Sequence, residues 1–383
     1  MDTTSVPSIL ELEDLSSMFE RYTVLRSHIL MYGIDRTTYT LAYNDLLRLH
    51  TLRLPSLEAY TYSSPDGAFS KSVIVSCEGF IGDIIGGIAN FFVKLFTAIF
   101  DFFRGLFGGD SGGGGGGGGG SSGKIDKKAN KVHKNHNNCK SLITEVKDQP
   151  PEFFTEAGKL CKKLLIKDSY LAVVWRRVGE ATAKLVPLAT QIKNCANAAN
   201  MDSGKAQRIR SVLNDVLKLV GNPQKLFGDK SNFVSFSSVI HNADDAERYL
   251  HGVEGYVIDL VASQATTGDF QARQDLKHIE EILHEVQDQV DKELKFLQAK
   301  AKTSNHMIYF QPLQDIGKLI LEFFKVTKAA AECIQQILDE IDQSIAAVIA
   351  AIKAALKAKN QQPGTASINL RSFYHNLTGA SYV

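Results

Sequence analysis

The stretch DFQARQDLKHIEEILHEVQDQVDKELKFLQAKAK, residues 269–302, decides the fold class of this chain. Its apolar side chains recur at steps of three and four residues, which is the period of one face of an α-helix. They are Leu276, Ile279, Leu283, Val286, Val290, Leu294 and Leu297. A narrow apolar face is typical of a helix that packs against other helices in a bundle. The stretch therefore predicts a long bundle-forming helix.

A second apolar stripe with the same spacing follows and predicts another long helix that packs antiparallel to the first. It consists of Ile316, Ile320, Phe323, Ala330, Ile334, Ile337, Ile341, Ile345, Val348, Ile352 and Leu356. Shorter helical patterns cover residues 127–147, 153–166, 170–199 and 203–220. The predicted fold class is all-α, with an elongated helical bundle over residues 124–360 and an irregular polar tail over 361–383.

Composition and charge limit the classes of function. The 383 residues carry a formal net charge of +1, which argues against a general nucleic-acid-binding protein, because that affinity comes from excess Lys and Arg. Five cysteines are scattered without metal-ligand spacing, which predicts reduced thiols. The first residues lack the basic and apolar regions of a signal peptide, so we expect synthesis in a cytoplasm.

The segment EGFIGDIIGGIANFFVKLFTAIFDFFRGLFGG, residues 78–109, holds eight of the 21 phenylalanines. Its polar residues fall on one narrow helical stripe, and apolar residues cover the rest of the circumference. The stripe consists of Asp83, Asn90, Lys94, Thr97, Asp101 and Arg104. These features predict an isolated amphipathic helix over 79–109. The glycine run that follows predicts a flexible linker over 110–123.

Three roles are open for this helix: a membrane anchor, a partner-binding helix, and the new N-terminus of a processed protein. A single membrane span is disfavoured, because Lys94 and Asp101 would lie near the middle of the bilayer. Inserting each of these charged residues there costs about 2.5–3.5 kcal/mol. A membrane surface or another protein must then cover the apolar face. The predicted contact residues are Phe80, Ile84, Ile88, Phe91, Phe92, Leu95, Phe96, Ile99, Phe102, Phe103 and Phe107.

Two clusters resemble metal sites only in part. His133, His136 and Cys139 recur at three-residue steps in a basic, Asn-rich helix, which fits transient metal binding, nucleic-acid contact or a solvated face. Glu281 and His284 have the spacing of di-iron bundle ligands, but the second copy that such sites need is missing. No catalytic motif appears. The sequence predicts no enzyme, no metal and no cofactor.

The first 78 residues form a separate, acidic part of the chain, with ten acidic against six basic side chains. Apolar periodicity predicts a short helical leader over 1–58, and a Ser- and Tyr-rich stretch with the turn signal Ser63-Ser64-Pro65-Asp66-Gly67 predicts a turn-rich connector over 59–78. Ser56-Leu57-Glu58 and Ser76-Cys77-Glu78 border this connector, and Ala59 and Gly79 follow them. Gly252-Val253-Glu254 and Ala330-Ala331-Glu332 repeat the same small-x-Glu pattern within predicted helices.

The layout of the first 110 residues resembles the N-terminal propeptides of internal head proteins of phiKZ-like jumbo bacteriophages, whose prohead protease cleaves after small-x-Glu. The resemblance implies a capsid-targeting propeptide, cut after Glu58 and Glu78. It further implies a non-enzymatic virion structural protein that lies inside the phage head and is ejected with the genome or retained. The expected partners are the protease and other head or core proteins, with genome DNA, a membrane surface and self-association left open.

A second interpretation is a membrane-active helical effector or pore-forming protein. In that case the segment 79–107 inserts into the membrane and the glycine linker acts as its hinge.

Overall fold

A computed structural model of the chain describes residues 8–14, 16, 17, 21, 66–108, 123–197, 199–221, 226–261, 272–300 and 307–361. Most of the predicted leader, the glycine linker and the tail after residue 361 lie outside these ranges. The described part is almost wholly helical, which confirms the all-α prediction.

The helices are long and follow the apolar stripes. They are α1 (Asp66–Phe107), α2 (Lys124–Glu145), α3 (Pro151–Leu160), α4 (Asp168–Cys195), α5 (Ser203–Val220), α6 (Ala243–Val261), α7 (Ala272–Lys300) and α8 (Met307–Gln361). Residues 9–14 are also helical. The helix α1 begins within the stretch predicted to be a turn-rich connector, so the connector prediction is wrong from Asp66 onward.

The helix α5 has the bounds that its sequence predicts, because a capping residue precedes its first turn and a glycine follows its last. At the start, Oδ1 of Asp202 accepts a hydrogen bond of 2.8 Å from the backbone N–H of Lys205, which satisfies one of the free donors of the first turn. At the end, Gly221 adopts φ 58°, a left-handed conformation that glycine tolerates at a helix terminus. Local chemistry alone therefore fixes this helix.

A short two-stranded sheet was missed by the sequence prediction, which extended α3 to residue 166. The strand β1 (Leu165–Ile166) pairs antiparallel with β2 (Phe233–Val234). The backbone N–H of Ile166 donates a 3.0 Å bond to Oγ of Ser344, and its carbonyl accepts from the hydroxyl of Tyr249 at 3.0 Å. Strands of two residues carry no alternating pattern, so tertiary pairing decides them.

The chain divides into two compact units, each built from three separate stretches. Unit 1 is Met1–Ile125, Arg177–Pro223 and Gly268–Cys333; unit 2 is Asp126–Arg176, Gln224–Thr267 and Ile334–Val383. The division differs from the predicted single bundle over 124–360, because the Phe-rich segment belongs to the same unit as α5 and α7.

The core of unit 1 contains the apolar stripe of α7, whose seven predicted residues from Leu276 to Leu297 are all buried. Polar bonds tie its helices together. The hydroxyl of Thr182 in α4 donates to the carboxylate of Asp275 in α7 at 3.1 Å, and Nε of Arg210 in α5 donates to Glu322 in α8 at 3.0 Å. Burial is the largest influence on Asp275 and raises the pKa of its carboxyl, against the hydrogen bond from Thr182.

The core of unit 2 contains the second half of the α8 stripe, in which Ile334, Ile337, Ile341, Ile345, Val348 and Ile352 are buried. Carboxylates at the border of this stripe pair with α2. Nζ of Lys128 lies 2.5 Å from Oδ2 of Asp339, and Nζ of Lys131 lies 2.7 Å from Oδ2 of Asp342. The basic face of α2 is thus partly neutralised within its own unit.

Candidate functional site

The phenylalanine-rich part of α1 is covered by unit 1 itself. Seven of the predicted contact residues are buried: Ile88, Phe91, Phe92, Leu95, Phe96, Ile99 and Phe103. Phe102 and Phe107 are half-buried, while the side chains of Phe80 and Ile84 lie outside the described residues. The predicted isolation of this helix is therefore wrong, because its apolar face already has a protein partner in the same chain.

Aromatic stacking joins α1 to α7. The rings of Phe92, Phe96 and Phe100 stack along α1 with centroids 6.4 and 6.0 Å apart, and the imidazole of His284 continues the series 3.8 Å from Phe100 at an interplanar angle of 3°. The ammonium of Lys277 lies 5.7 Å from the centroid of Phe107, which is within range of a cation–π attraction.

The helix α8 approaches α1 on a second side. The rings of Phe102 and Phe324 meet edge to face with centroids 5.6 Å apart. A glycine in α8, Gly317, allows closer contact, because a methyl group at that position would lie 2.8 Å from Cε1 of Phe91 and 3.3 Å from Cζ of Phe92. The absence of a side chain at Gly317 lets the two phenylalanines reach the backbone of α8.

The polar stripe of α1 lies on the exposed side, as the sequence predicts. Asn90, Lys94, Thr97 and Arg104 are exposed. Arg104 forms a 2.6 Å ion pair with Asp101 one turn earlier, and the hydroxyl of Thr97 donates to the carbonyl of Val93 at 2.7 Å. The amphipathic division of the helix therefore separates a surface from a protein core.

Within the described residues, the stretch Gly86–Phe107 is long and apolar enough to cross a membrane by length and composition, and half of its most apolar window is buried in the protein. A buried core helix meets the same criteria. Length and composition alone therefore do not distinguish a membrane helix from the core helix that the structure describes here.

The start of the leader also packs on unit 1. The residues 8–14, which we call the leader turn, begin with a reciprocal cap: the N–H of Glu11 donates to Oγ of Ser8 at 3.2 Å, and the N–H of Ser8 donates to the Glu11 carboxylate at 2.5 Å. Leu12 is fully buried, and the ammonium of Lys325 in α8 pairs with the Glu13 carboxylate. The Ser-x-x-Glu pattern of the cap is visible in the sequence, whereas the contact with Lys325 is not.

The predicted processing sites differ in what the structure describes. Ser56, Glu58 and Ala59 lie outside the described residues. The backbone of Ser76, Glu78 and Gly79 lies inside α1, and their side chains are outside the described set. Cleavage after Glu78 therefore requires the first turns of α1 to unwind, because a protease binds an extended segment.

The two further small-x-Glu matches are shielded. Val253 is fully buried in α6, and Ala330 and Ala331 are fully buried in α8. A protease would have to unfold core helices to reach either peptide bond. Both matches therefore lie in packed helices.

The histidine and cysteine cluster on α2 does not converge. His133 is exposed, whereas His136 and Cys139 are buried. Nε2 of His136 lies 3.1 Å from the carboxylate of Glu254 in α6, and burial raises the pKa of the Cys139 thiol to about 12. Among the residues that the structure describes, no group of three or more His, Cys, Asp or Glu side chains could hold a metal ion.

The Glu-x-x-His pair on α7 has structural partners instead of a metal. His284 stacks on Phe100, and Glu281 lies 3.2 Å from Nδ1 of His278 on its own helix. The imidazole of His284 therefore contributes to the covering of α1, while Glu281 takes part in a surface pair.

Comparisons with known protein families, characterised proteins and solved structures give no match for this chain. The geometry of α1 and of the leader turn is therefore the basis for a functional proposal.

Proposed function

We propose that this protein is a non-enzymatic structural component of a phage virion, packaged inside the head, whose leader is removed by proteolysis after Glu58 and Glu78. The observation that carries the proposal is the position of Glu78 relative to the core. The described buried residues of α1 begin at Gly87 and continue to Leu106. Cleavage after Glu78 would leave this core segment attached to the mature chain.

The distribution of the small-x-Glu matches supports the same proposal. The two matches in the helical body are shielded by fully buried neighbours, Val253 and Ala331. Of the two others, Ser56-Leu57-Glu58 precedes α1, and Ser76-Cys77-Glu78 lies in the first part of α1, before its described buried residues. A processed structural protein needs this arrangement, because its protease must cut the leader and spare the body.

The proposal is tested by the N-terminal residue of the protein isolated from its natural particles. We expect Gly79 as the main N-terminus and Ala59 as an intermediate, with peptides from residues 1–78 depleted in mass spectrometry. The substitution Glu78→Gln should block the second cut, whereas the matched control Glu332→Gln should leave processing unchanged. Peptides from 1–78 as abundant as those from the body would overturn the proposal.

A second candidate is a membrane-active helical effector, and the apolar length of Gly86–Phe107 favours it. Since seven predicted contact residues are buried in unit 1, this function requires α1 to leave its position against α7 and α8. Flotation of the full chain with vesicles of anionic and neutral lipids tests it. Vesicle binding that Val93→Asp abolishes would favour the effector, and no flotation at either composition would count against it.

A further inference from the structure

The leader turn is held on unit 1 by an ion pair with one of its helices. The Glu13 carboxylate pairs with Lys325 of α8, a contact that spans 312 positions of sequence. The backbone hydrogen bond of Ser8 is the main cause that lowers the pKa of the Glu11 carboxyl, and the charge of Lys94 in α1 adds to it. One acidic residue of the turn, Glu13, is thus paired with a lysine of the body.

An apolar contact accompanies this charge pairing. Leu12 is 0% exposed, and Ser16, one turn later on the same face of the helix, is also buried. Leu10, which points away from this face, is 72% exposed. The turn therefore has a buried leucine with carboxylates on both sides, whereas its other leucine remains in solvent.

The reciprocal cap between Ser8 and Glu11 stabilises the helical shape of the turn. Each residue satisfies the backbone N–H of the other, so the first helical turn forms with few free donors. A ligand that is already ordered loses less conformational entropy on binding. These properties make the leader turn suitable as a short helical ligand.

We propose that the leader turn is an intramolecular ligand that covers a docking surface of unit 1 beside Lys325, and that its removal opens this surface to an acidic amphipathic helix of a partner protein. The partner's helix repeats the chemistry of the turn. It has a Ser-x-x-Glu cap, and a leucine lies between the glutamate of this cap and a second carboxylate. The covering of the surface is independent of the proposed virion function, while its opening rests on the proposed cleavage.

A peptide of residues 5–21, labelled with fluorescein, measures access to this surface on the full-length chain. In the wild-type chain the leader turn belongs to the same molecule and therefore competes with the added peptide for this surface. The variant Leu12→Asp weakens the tethered leader, so we expect it to bind the peptide at least about tenfold more tightly than the wild type does in fluorescence anisotropy. The matched control Leu10→Asp, at the exposed leucine, should bind like the wild type.

Charge reversal tests the position of the surface independently of folding. Adding Lys325→Glu to the Leu12→Asp chain should abolish binding of the wild-type peptide, and a peptide that carries Glu13→Lys should restore it. Equal affinity for the wild-type and Leu12→Asp chains, no binding to either, or indifference to Lys325→Glu would each overturn the proposal. Because the assay uses purified chain without particles, its failure would leave the N-terminus found in virions unaffected.

Discussion

Phe91 of α1 lies directly over Gly317 of α8, so that a methyl group at Gly317 would lie 2.8 Å from Cε1 of the ring. That distance is shorter than real side-chain contacts, and the phenylalanine side chain is buried. The pair therefore sets how closely the phenylalanine-rich helix approaches α8.

The substitution Gly317→Ala tests this contact. Alanine favours a helix over glycine by about 1 kcal/mol, but overpacking a filled core costs about 1–3 kcal/mol. We expect net destabilisation of up to about 2 kcal/mol in urea unfolding followed by circular dichroism. Gly255 of α6 has nothing within 4 Å of the added carbon, so Gly255→Ala should stabilise by about 0.5–1 kcal/mol. A stabilised Gly317→Ala protein would contradict the described packing of α1 on α8.

Burial of the phenylalanine-rich helix predicts a large difference between its two faces. Phe103 is fully buried, while Val93 is 57% exposed. We expect Phe103→Ala to destabilise unit 1 by about 3–5 kcal/mol, because it leaves a cavity. Val93→Ala should change stability by about 0.5 kcal/mol or less. Circular dichroism is the suitable signal, since the one tryptophan, Trp175, belongs to unit 2. Similar effects of the two substitutions would mean that this face of α1 is not packed in solution.

The pair of buried His136 and half-buried Glu254 predicts a pH dependence of unit 2. Burial is the main influence on His136 and lowers its pKa. The Glu254 carboxylate, 3.1 Å away, and a hydrogen bond with Asn137 raise the pKa in opposition. The nearby charges of His133 and Lys140 lower it further. In the unfolded chain the His136 side chain has its ordinary pKa of about 6.5. This value is higher than its pKa in the native state. Below about pH 6.5 the unfolded state holds more protons, so stability falls as the pH falls.

Trp175 is a local reporter for this effect, because its ring meets Tyr256 of α6 edge to face at 5.6 Å. Denaturant unfolding followed by its fluorescence should show a loss of stability between about pH 7 and pH 5, and His136→Gln should reduce that loss. The control is His251→Gln, at an exposed position of α6, which should retain the wild-type slope. An unchanged slope in His136→Gln would contradict the assignment to His136.

The four cysteines whose side chains the structure describes should separate into two classes of reactivity. Burial raises the pKa of the thiols of Cys139 and Cys333 to about 12, whereas Cys161 and Cys195 are partly exposed. Alkylation of the native chain at about pH 8, where only thiolates react, should modify Cys161 and Cys195 first. Cys139 and Cys333 should react only after denaturation, as mapped by peptide mass spectrometry. Fast modification of Cys139 in the native chain would contradict the packing of α2.

Local pattern was enough for many of the helices and for the division of α1 into two faces. The stripe from Leu276 to Leu297 is buried throughout, and α5 has the predicted bounds, residues 203–220. These features depend on helical periodicity and on the chemistry of residues next to each other in the chain. The start of α1 was the exception, because a serine-proline turn signal directly before Asp66 does not reveal the helix that begins there.

What only the tertiary structure decided is the partner of each apolar face. The sequence left lipid and protein open for Phe91, Phe96 and Phe103, and the structure places all three against the same unit of the same chain. Phe91 packs against Gly317, and Glu13 pairs with Lys325. Both partners lie in α8, far along the chain from Phe91 and Glu13. The periodic spacing of apolar residues shows that a helix has an apolar face and that this face will be buried. The surface it meets depends on long-range packing, which no local pattern encodes.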